Sequence, residues 1–404
     1  MSISKNEECP ERRSTAGLLL LVAGIIFLAM NLRAPITSVG PVVDLIRDYL
    51  GVSNTTIGIL TTIPLLAFGL LSPFAPRLAR KFGMELTLFL VLITLSIGLI
   101  LRPLGGMPAL YIGTLFIGAG IAIANVLMPA FVKMKFPKNI GVMTGIYAIS
   151  MNLTAAIAAG LSVPLATGTN FSWKASIGIW AFMGITALLF WIPQLRYRET
   201  HKTTNDTSVK KPSLLRSKLA WQITIFMGLQ SLLFYAIVAW LPAILQDRGM
   251  TADKAGWMLS FVQFAQLPVT FIMPIIAAKM KNQLVLVWLT FITAILGILC
   301  IMTGQTVLVL PATILFGIAT GTAFSLAMMF FTLRTDNVLE AADLSAMAQS
   351  IGYLLAATGP VIFGLLYDLT AGWVGSLALL AIAAIVLFIV GLGAGKDTTI
   401  SKSN

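Results

Sequence analysis

The first long apolar stretch of this sequence contains a residue with a permanent positive charge, Arg33. In a helix that rises 1.5 Å per residue, Arg33 would lie roughly 25 Å from one end of the stretch and roughly 17 to 20 Å from the other. An arginine side chain does not reach water over that distance. Since centring such a charge in hydrocarbon costs at least about 2.5 to 3.5 kcal/mol, Arg33 is a candidate functional residue that needs a partner.

The sequence offers no carboxylate as that partner, because every Asp and Glu lies in a tail, a loop or the end of an apolar stretch. We therefore predict that the counter-charge arrives with a bound solute, either an anion or an electron-rich polar molecule. Guanidinium suits this role, because it stays charged and presents a planar fork to paired oxygens. The alternative is a structural role, in which carbonyl oxygens or water satisfy Arg33 at a kink made by Pro35.

Polar side chains in other apolar stretches could orient a solute held by Arg33. Gln230 is the counterpart of Asn31 at an offset of 199 residues, and Gln349 and Tyr353 share one helix face at i, i+4. Each amide alone is also explained by a hydrogen bond between membrane helices, worth about 0.6 kcal/mol. Taken as a set, they predict a binding site whose principal contact is Arg33 and whose polar shell consists of Asn31, Asn125, Gln230, Gln349 and Tyr353.

The sequence has little material for catalysis or metal binding. It contains one His and two Cys, and the H-E-x-x-H, G-x-S-x-G and P-loop patterns are absent. We predict that the protein is not an enzyme and that it needs no metal or cofactor. An integral-membrane enzyme, for example one that modifies lipids, is the lower-ranked alternative.

The composition indicates which structural elements must position these residues. Hydrophobic residues make up 58% of the 404 and charged residues only 10%, against roughly 25% charged in an average soluble domain. Long apolar stretches that do not alternate with period two predict an all-α membrane protein, because each can cross about 30 Å of hydrocarbon as a helix. We predict twelve spans, at residues 16–46, 55–75, 86–105, 108–131, 141–164, 175–195, 220–245, 255–278, 283–303, 306–331, 343–367 and 373–394. The first is too long for a cleaved signal peptide and is expected to be retained as a helix.

Basic residues indicate the orientation of the spans. An even number of spans puts both termini on one side, and the tails and loops on that side hold 21 Lys and Arg against five on the other. The positive-inside rule then predicts cytoplasmic termini and a cell membrane location, in a bacterium the inner membrane. The net charge of +12 is thus explained by topology and not by binding to nucleic acid.

A polar segment divides the chain into two parts of similar pattern. We predict a cytoplasmic tail at 1–15, a six-helix half at 16–195, a cytoplasmic linker at 196–219, a second six-helix half at 220–394 and a cytoplasmic tail at 395–404. An offset of 198 to 200 residues aligns span with span across the linker. Halves that repeat in the same orientation are the plan of the major facilitator fold, in which a solute binds near the midplane between them.

Three segments resemble signatures of the cyanate porter family, a group that includes nitroimidazole exporters. They are residues 31–41 (NLRAPITSVGP), residues 228–242 with GLQSLLFY and WLP, and residues 344–360 with QSIGY and GP. The resemblance implies a secondary active or facilitative transporter that moves a small polar solute, cyanate-like or another small anion, by alternating access. We expect it to act as a monomer in the lipid bilayer. A second possibility is an exporter of neutral nitroheterocyclic or other drug-like compounds.

The loop after the second span departs from the motif of the wider superfamily, because Arg80 stands at the usual acidic position and Pro76 at the usual first glycine. An embedded carboxylate, the usual proton carrier, is also absent. Asp44 and Asp343, at the ends of spans, are the weak candidates for that role.

Overall fold

The computed structural model describes residues 15–52, 54–197 and 214–403, and within these ranges the regular structure is helical. Continuous apolarity explains the helices, since a membrane leaves backbone groups no water to bond and each helix satisfies its own. After a broken first span, the remaining spans follow in chain order as Asn54–Leu71, Met84–Leu101, Met107–Lys135, Ile140–Thr167, Trp173–Gly178 with Trp180–Trp191, Lys218–Asp247, Ala252–Lys279, Leu284–Met302, Val309–Leu333, Val338–Thr370 and Trp373–Ala394.

The helices agree with the sequence pattern. Eleven helical segments among the described residues are long and apolar enough to cross a membrane, and Asn54–Leu71 occupies the position of the second predicted span. The predicted all-α fold is therefore confirmed. Most of the predicted tail at 1–15 and of the predicted linker at 196–219 lies outside the described residues. At the other terminus, the short helix Ile400–Ser403 is anchored where the Ile400 amide donates to the carbonyl of Arg334 at 3.0 Å.

Span one is not the continuous helix that we predicted. It consists of Thr15–Met30, a three-residue turn, and the short helix Ala34–Thr37, followed by Gly40–Val42 and Val43–Leu50. The cause is Pro35, which has no N–H to donate to the carbonyl four residues earlier and whose ring would clash with it. Proline is well tolerated in the first turn of a helix, so a new helix begins beside it. The turn contains Arg33.

The two halves contact each other mainly at one end of the bundle, which we call the basic end because it carries the basic loops. There the Lys133 ammonium donates to the carbonyl of Thr332 at 2.8 Å and to Thr335, at the end of span ten. Arg80 lies on the short helix Ala75–Phe82 after span two and pairs with Asp343 of span eleven at 2.9 Å. The arginine that stands at the usual acidic position of the loop motif thus forms an ion pair with the opposite half. Asp343, one of the two weak candidates for a proton carrier, is therefore already paired.

Span five packs against span eight at the same end, and glycine permits the close approach. A Cβ added to Gly141 would lie 2.6 Å from the Pro274 carbonyl oxygen, and one added to Gly145 would lie 2.6 Å from the Phe271 carbonyl oxygen. Real Cβ atoms are not found so close to a backbone oxygen. The basic end is therefore closed by backbone-to-backbone packing as well as by polar contacts.

The repeat extends to a polar contact at the basic end of each half. In the first half Lys135 pairs with Glu85 at 2.7 Å, and both side chains are buried. In the second half Arg334, 199 residues after Lys135, donates to the Gln283 side chain and to the carbonyls of Ala394 and Gly395. In each half, the contact holds the end of the fourth span against the start of the third span.

We expect Glu85→Ala to lower the free energy of unfolding by about 3 to 5 kcal/mol, because removing one partner of a buried ion pair leaves the other charge poorly compensated. Denaturant titration in detergent measures this. Asp397→Ala is a control on an exposed acidic residue of the same end and should cost less than about 1 kcal/mol. A loss for Glu85→Ala as small as that of the control would contradict the prediction.

Candidate functional site

A cavity of about 210 Å³ lies between the two halves. Its walls come from spans one, two, four and five of the first half and from spans seven, eight, ten and eleven of the second. The lining comprises Leu32, Arg33, Ile36, Thr37, Phe68, Asn125, Tyr147, Met151, Ala155, Ala156, Ala159, Phe234, Tyr235, Val238, Gln263, Phe324, Met328, Gln349 and Tyr353.

Arg33 enters this cavity from the turn in span one. Its Nη1 donates to the side-chain oxygen of Asn152 at 2.6 Å. The amide nitrogen of Asn152 donates to the carbonyl of Ala148 at 3.0 Å, which turns the Asn152 oxygen toward the guanidinium. Among the side chains that the structure describes, no carboxylate forms an ion pair with Arg33. Its hydrogen-bond partner is thus neutral, and no side chain that the structure describes compensates the positive charge.

Two aromatic rings flank the guanidinium. The Arg33 Cζ lies 5.2 Å from the ring centre of Phe234 and 5.5 Å from that of Phe324, within the range of cation–π attraction. Both rings belong to the second half, whereas Arg33 belongs to the first. The guanidinium is therefore held at the junction of the halves, and its remaining N–H groups stay available to a solute.

The floor of the cavity, toward the basic end, is a hydrogen-bonded junction between the halves. The amide nitrogen of Gln349 donates to the main-chain carbonyl of Asn125 and to the Ser345 hydroxyl, each at 2.9 Å. The side-chain oxygen of Asn125 accepts from the Tyr147 hydroxyl at 3.1 Å. The side-chain oxygen of Gln349 is buried and has no protein donor. The floor thus combines a fixed tyrosine with a spare amide acceptor.

The structure brings five of the six predicted residues together. Arg33, Asn125, Gln349 and Tyr353 line the cavity, and Gln230 lines a small recess that also touches Arg33 and Tyr353. The amide nitrogen of Gln230 donates to the Ser231 hydroxyl at 2.6 Å.

Asn31 lies elsewhere. Its amide donates to the carbonyls of Phe27 and Met183, at 2.8 and 3.2 Å, and it is not part of the cavity lining. The reason is helical spacing: side chains two residues apart on a helix point in nearly opposite directions, so Asn31 faces span six while Arg33 faces the cavity. Its contact is the interhelical hydrogen bond that the sequence left open as an alternative.

Sequence reasoning missed much of the aromatic lining and the direct partner of Arg33. Asn152 is recognisable as an amide in span five, but nothing in its spacing relates it to Arg33, 119 residues earlier. Phe234, Phe324 and Tyr235 resemble ordinary packing residues in an apolar sequence. Only the arrangement of the spans identifies them as lining.

We expect Asn152→Asp to weaken the binding of an anionic solute by about 10- to 100-fold, because a carboxylate 2.6 Å from Arg33 would neutralise it and repel the solute. Asn152→Ser is the matched neutral control and should stay within a few-fold of the wild type. Equilibrium binding to the purified protein measures both. Equal affinities for Asn152→Asp and the wild type would contradict the role of the uncompensated charge.

Comparison with known proteins supports the fold and the class. Residues 19–357 match the model of the Major Facilitator Superfamily. An uncharacterized transporter of Bacillus subtilis, YycB, is 46% identical over 95% of both chains. The 2-nitroimidazole transporter of Escherichia coli is 36% identical over 97% of this chain and 99% of its own. The cyanate transport protein CynX of Escherichia coli is 24% identical over 93% of this chain and 96% of its own.

Solved structures agree with this result at the level of fold. The proton:xylose symporter XylE matches with a TM-score of 0.75 at 11% identity, covering 96% of this chain and 99% of its own. The predicted resemblance and the prediction that the protein is not an enzyme are both confirmed. The chain has a cavity between two halves, and the transporters named above align with nearly all of it. This chain therefore belongs to the major facilitator superfamily and is a membrane transporter of a small solute.

Proposed function

We propose that this transporter carries a small, planar organic solute with an anionic group, and that Arg33 binds that group during alternating access. The observation that carries the proposal is the Arg33 guanidinium in the central cavity with a neutral amide as its hydrogen-bond partner. A carboxylate would supply the missing charge and match the guanidinium with two oxygens.

The size and lining of the cavity favour a ring over a very small ion. A cavity needs about 10 to 15 Å³ to hold one water, so a cavity of about 210 Å³ accommodates many water-sized groups. A three-atom anion such as cyanate would leave most of that space unfilled. Phe68, Phe234, Phe324 and Tyr353 offer aromatic surfaces against which a flat ring can stack.

A neutral nitroheterocycle is the second candidate. A nitro group also presents paired oxygens to a guanidinium, and a relative over almost the whole chain is the 2-nitroimidazole transporter of Escherichia coli. In this case Arg33 would act as a hydrogen-bond donor to a solute with no net charge. The two candidates differ in whether transport responds to the membrane potential.

We further propose that the basic end is cytoplasmic, following the positive-inside rule, and that the protein acts as a monomer in a bacterial plasma membrane. Because the halves meet at the basic end, this conformation would be outward-facing.

Exporting a monovalent anion from an inside-negative cell gains about 2.3 kcal/mol per 100 mV, whereas importing it requires coupling. Asp343 is paired with Arg80, and the side chain of Asp44 lies outside the described residues. Export without proton coupling is therefore the simplest mode.

Flux into proteoliposomes tests the proposal. Benzoate, cyanate and 2-nitroimidazole are supplied in turn, with an imposed voltage and an imposed pH gradient applied separately. We expect benzoate flux to follow the voltage, and cyanate flux to be much slower. Flux of 2-nitroimidazole alone, independent of voltage, would favour the second candidate and overturn the first.

A further inference from the structure

A second arginine is buried without a compensating charge. Arg102 follows span three and is 1% exposed. Its Nη1 donates to the carbonyl of Pro35 at 2.8 Å, whereas its Nε and Nη2 have no hydrogen-bond partner among the described residues. Within the described part of the chain, Arg102 forms no ion pair. Guanidinium is not deprotonated in proteins, so a full charge and two donors remain unsatisfied.

A small cavity of about 30 Å³ lies beside this side chain. Thr114, on span four, also lines it, and its buried hydroxyl has no hydrogen-bond partner in the part of the chain that the structure describes. The cavity therefore offers three unpaired donors. Its other walls are the apolar side chains of Ile36, Val39, Leu60, Pro64 and Ile117.

We propose that this cavity is a binding site for one monovalent anion of halide size, such as chloride, held between Arg102 and Thr114. A cavity needs about 10 to 15 Å³ to hold one water, so a cavity of about 30 Å³ admits an ion of halide size. Water alone would accept from the donors but leave the charge uncompensated. A halide accepts from all three donors and neutralises the guanidinium, which removes the main cost of burying it.

The site is separate from the solute cavity but mechanically linked to it. Ile36 lines both cavities, and the Arg102 contact with the Pro35 carbonyl fixes the short helix Ala34–Thr37. Arg33 lies immediately before that helix. A halide that holds Arg102 in place thus stabilises the short helix that follows Arg33, and with it the position of Arg33.

Thermal unfolding of the purified full-length protein in detergent tests this proposal. Sodium chloride is titrated against sodium gluconate at constant ionic strength. We expect chloride to raise the unfolding temperature saturably, and Thr114→Val to raise the half-saturating chloride concentration about tenfold. Arg102→Gln should abolish the response. Arg33→Gln should retain it, which keeps the result independent of the proposed transport function.

Crystals grown in bromide provide a second measurement that does not depend on a variant. We expect an anomalous peak between Arg102 and Thr114 in the wild type and a weaker one in Thr114→Val. No chloride-specific stabilisation, or a response lost in Arg33→Gln and retained in Thr114→Val, would overturn the proposal. Ordered density without anomalous signal would mean that water occupies the site, and would overturn it as well.

Discussion

Arg33→Gln should nearly abolish transport of an anionic solute while the protein still folds and inserts. The replacement removes the positive charge that faces the cavity, where Asn152 is the side-chain hydrogen-bond partner. A charge-assisted hydrogen bond contributes about 1.5 to 3 kcal/mol, and two parallel bonds to a carboxylate contribute more, so we expect a loss of at least about 100-fold. Initial flux in proteoliposomes measures the effect, and the melting temperature of the purified variant reports folding.

Arg33→Lys separates charge from geometry. Lysine keeps the charge but loses the planar fork, and its compact ammonium lacks the flat surface that packs between Phe234 and Phe324. We expect a loss of about 10-fold, between the wild type and Arg33→Gln. If both variants transport normally, Arg33 is structural and the site assignment is wrong. If Arg33→Gln retains transport of neutral solutes only, the anion assignment stands and export of neutral compounds is a side activity.

Gly141→Ala should prevent closure of the basic end and so deplete the conformation described above. The new Cβ would lie 2.6 Å from the Pro274 carbonyl oxygen and 2.7 Å from the Ala278 Cβ, on a facing helix. Overpacking of this kind costs about 1 to 3 kcal/mol, which shifts a two-state population by about 5- to 150-fold. Because the opposite conformation separates these helices, it escapes the clash, and we expect flux to fall as the cycle stalls.

Gly160→Ala is the matched control, because it lies on the same helix and no atom of a neighbouring element lies within 4 Å of its added Cβ. Spin labels at the exposed positions Lys138 and Lys281, on the ends of spans five and eight, measure the opening. We expect a longer distance in Gly141→Ala and the wild-type distance in Gly160→Ala. A wild-type distance in both would mean that the helices slide past the clash and that the glycine does not control closure.

The sequence predicted the helices and the key charge for one physical reason. Hydrocarbon penalises both an unbonded backbone group and a buried ion. Long apolar stretches therefore identify the helices, and the charge of Arg33 is conspicuous within one of them. The same reasoning predicted Asn125, Gln349 and Tyr353 as residues of the site, because amide and hydroxyl groups inside spans four and eleven need polar partners.

What the sequence did not predict depends on where a helix breaks and which helices meet. Pro35 signalled a kink, but only the packing of span six on span one shows that Asn31 faces span six instead of the cavity. Asn152 became the partner of Arg33 only through the packing of span five on span one. Arg102 is one of the five basic residues that the sequence analysis assigned to the loops opposite the termini, although the fold leaves it only 1% exposed.

The ion pair between Arg80 and Asp343 gives the two faces of the membrane different sensitivities to salt. Each side chain is 31% exposed, so dissolved ions reach the pair and weaken it, with a screening length of about 8 Å at physiological ionic strength. The pair lies on the basic face alone, and the packed helices of the closed basic end separate it from the opposite compartment. Ionic strength in a single compartment therefore adjusts how readily the two halves separate, by up to about fivefold for an exposed pair worth less than about 1 kcal/mol.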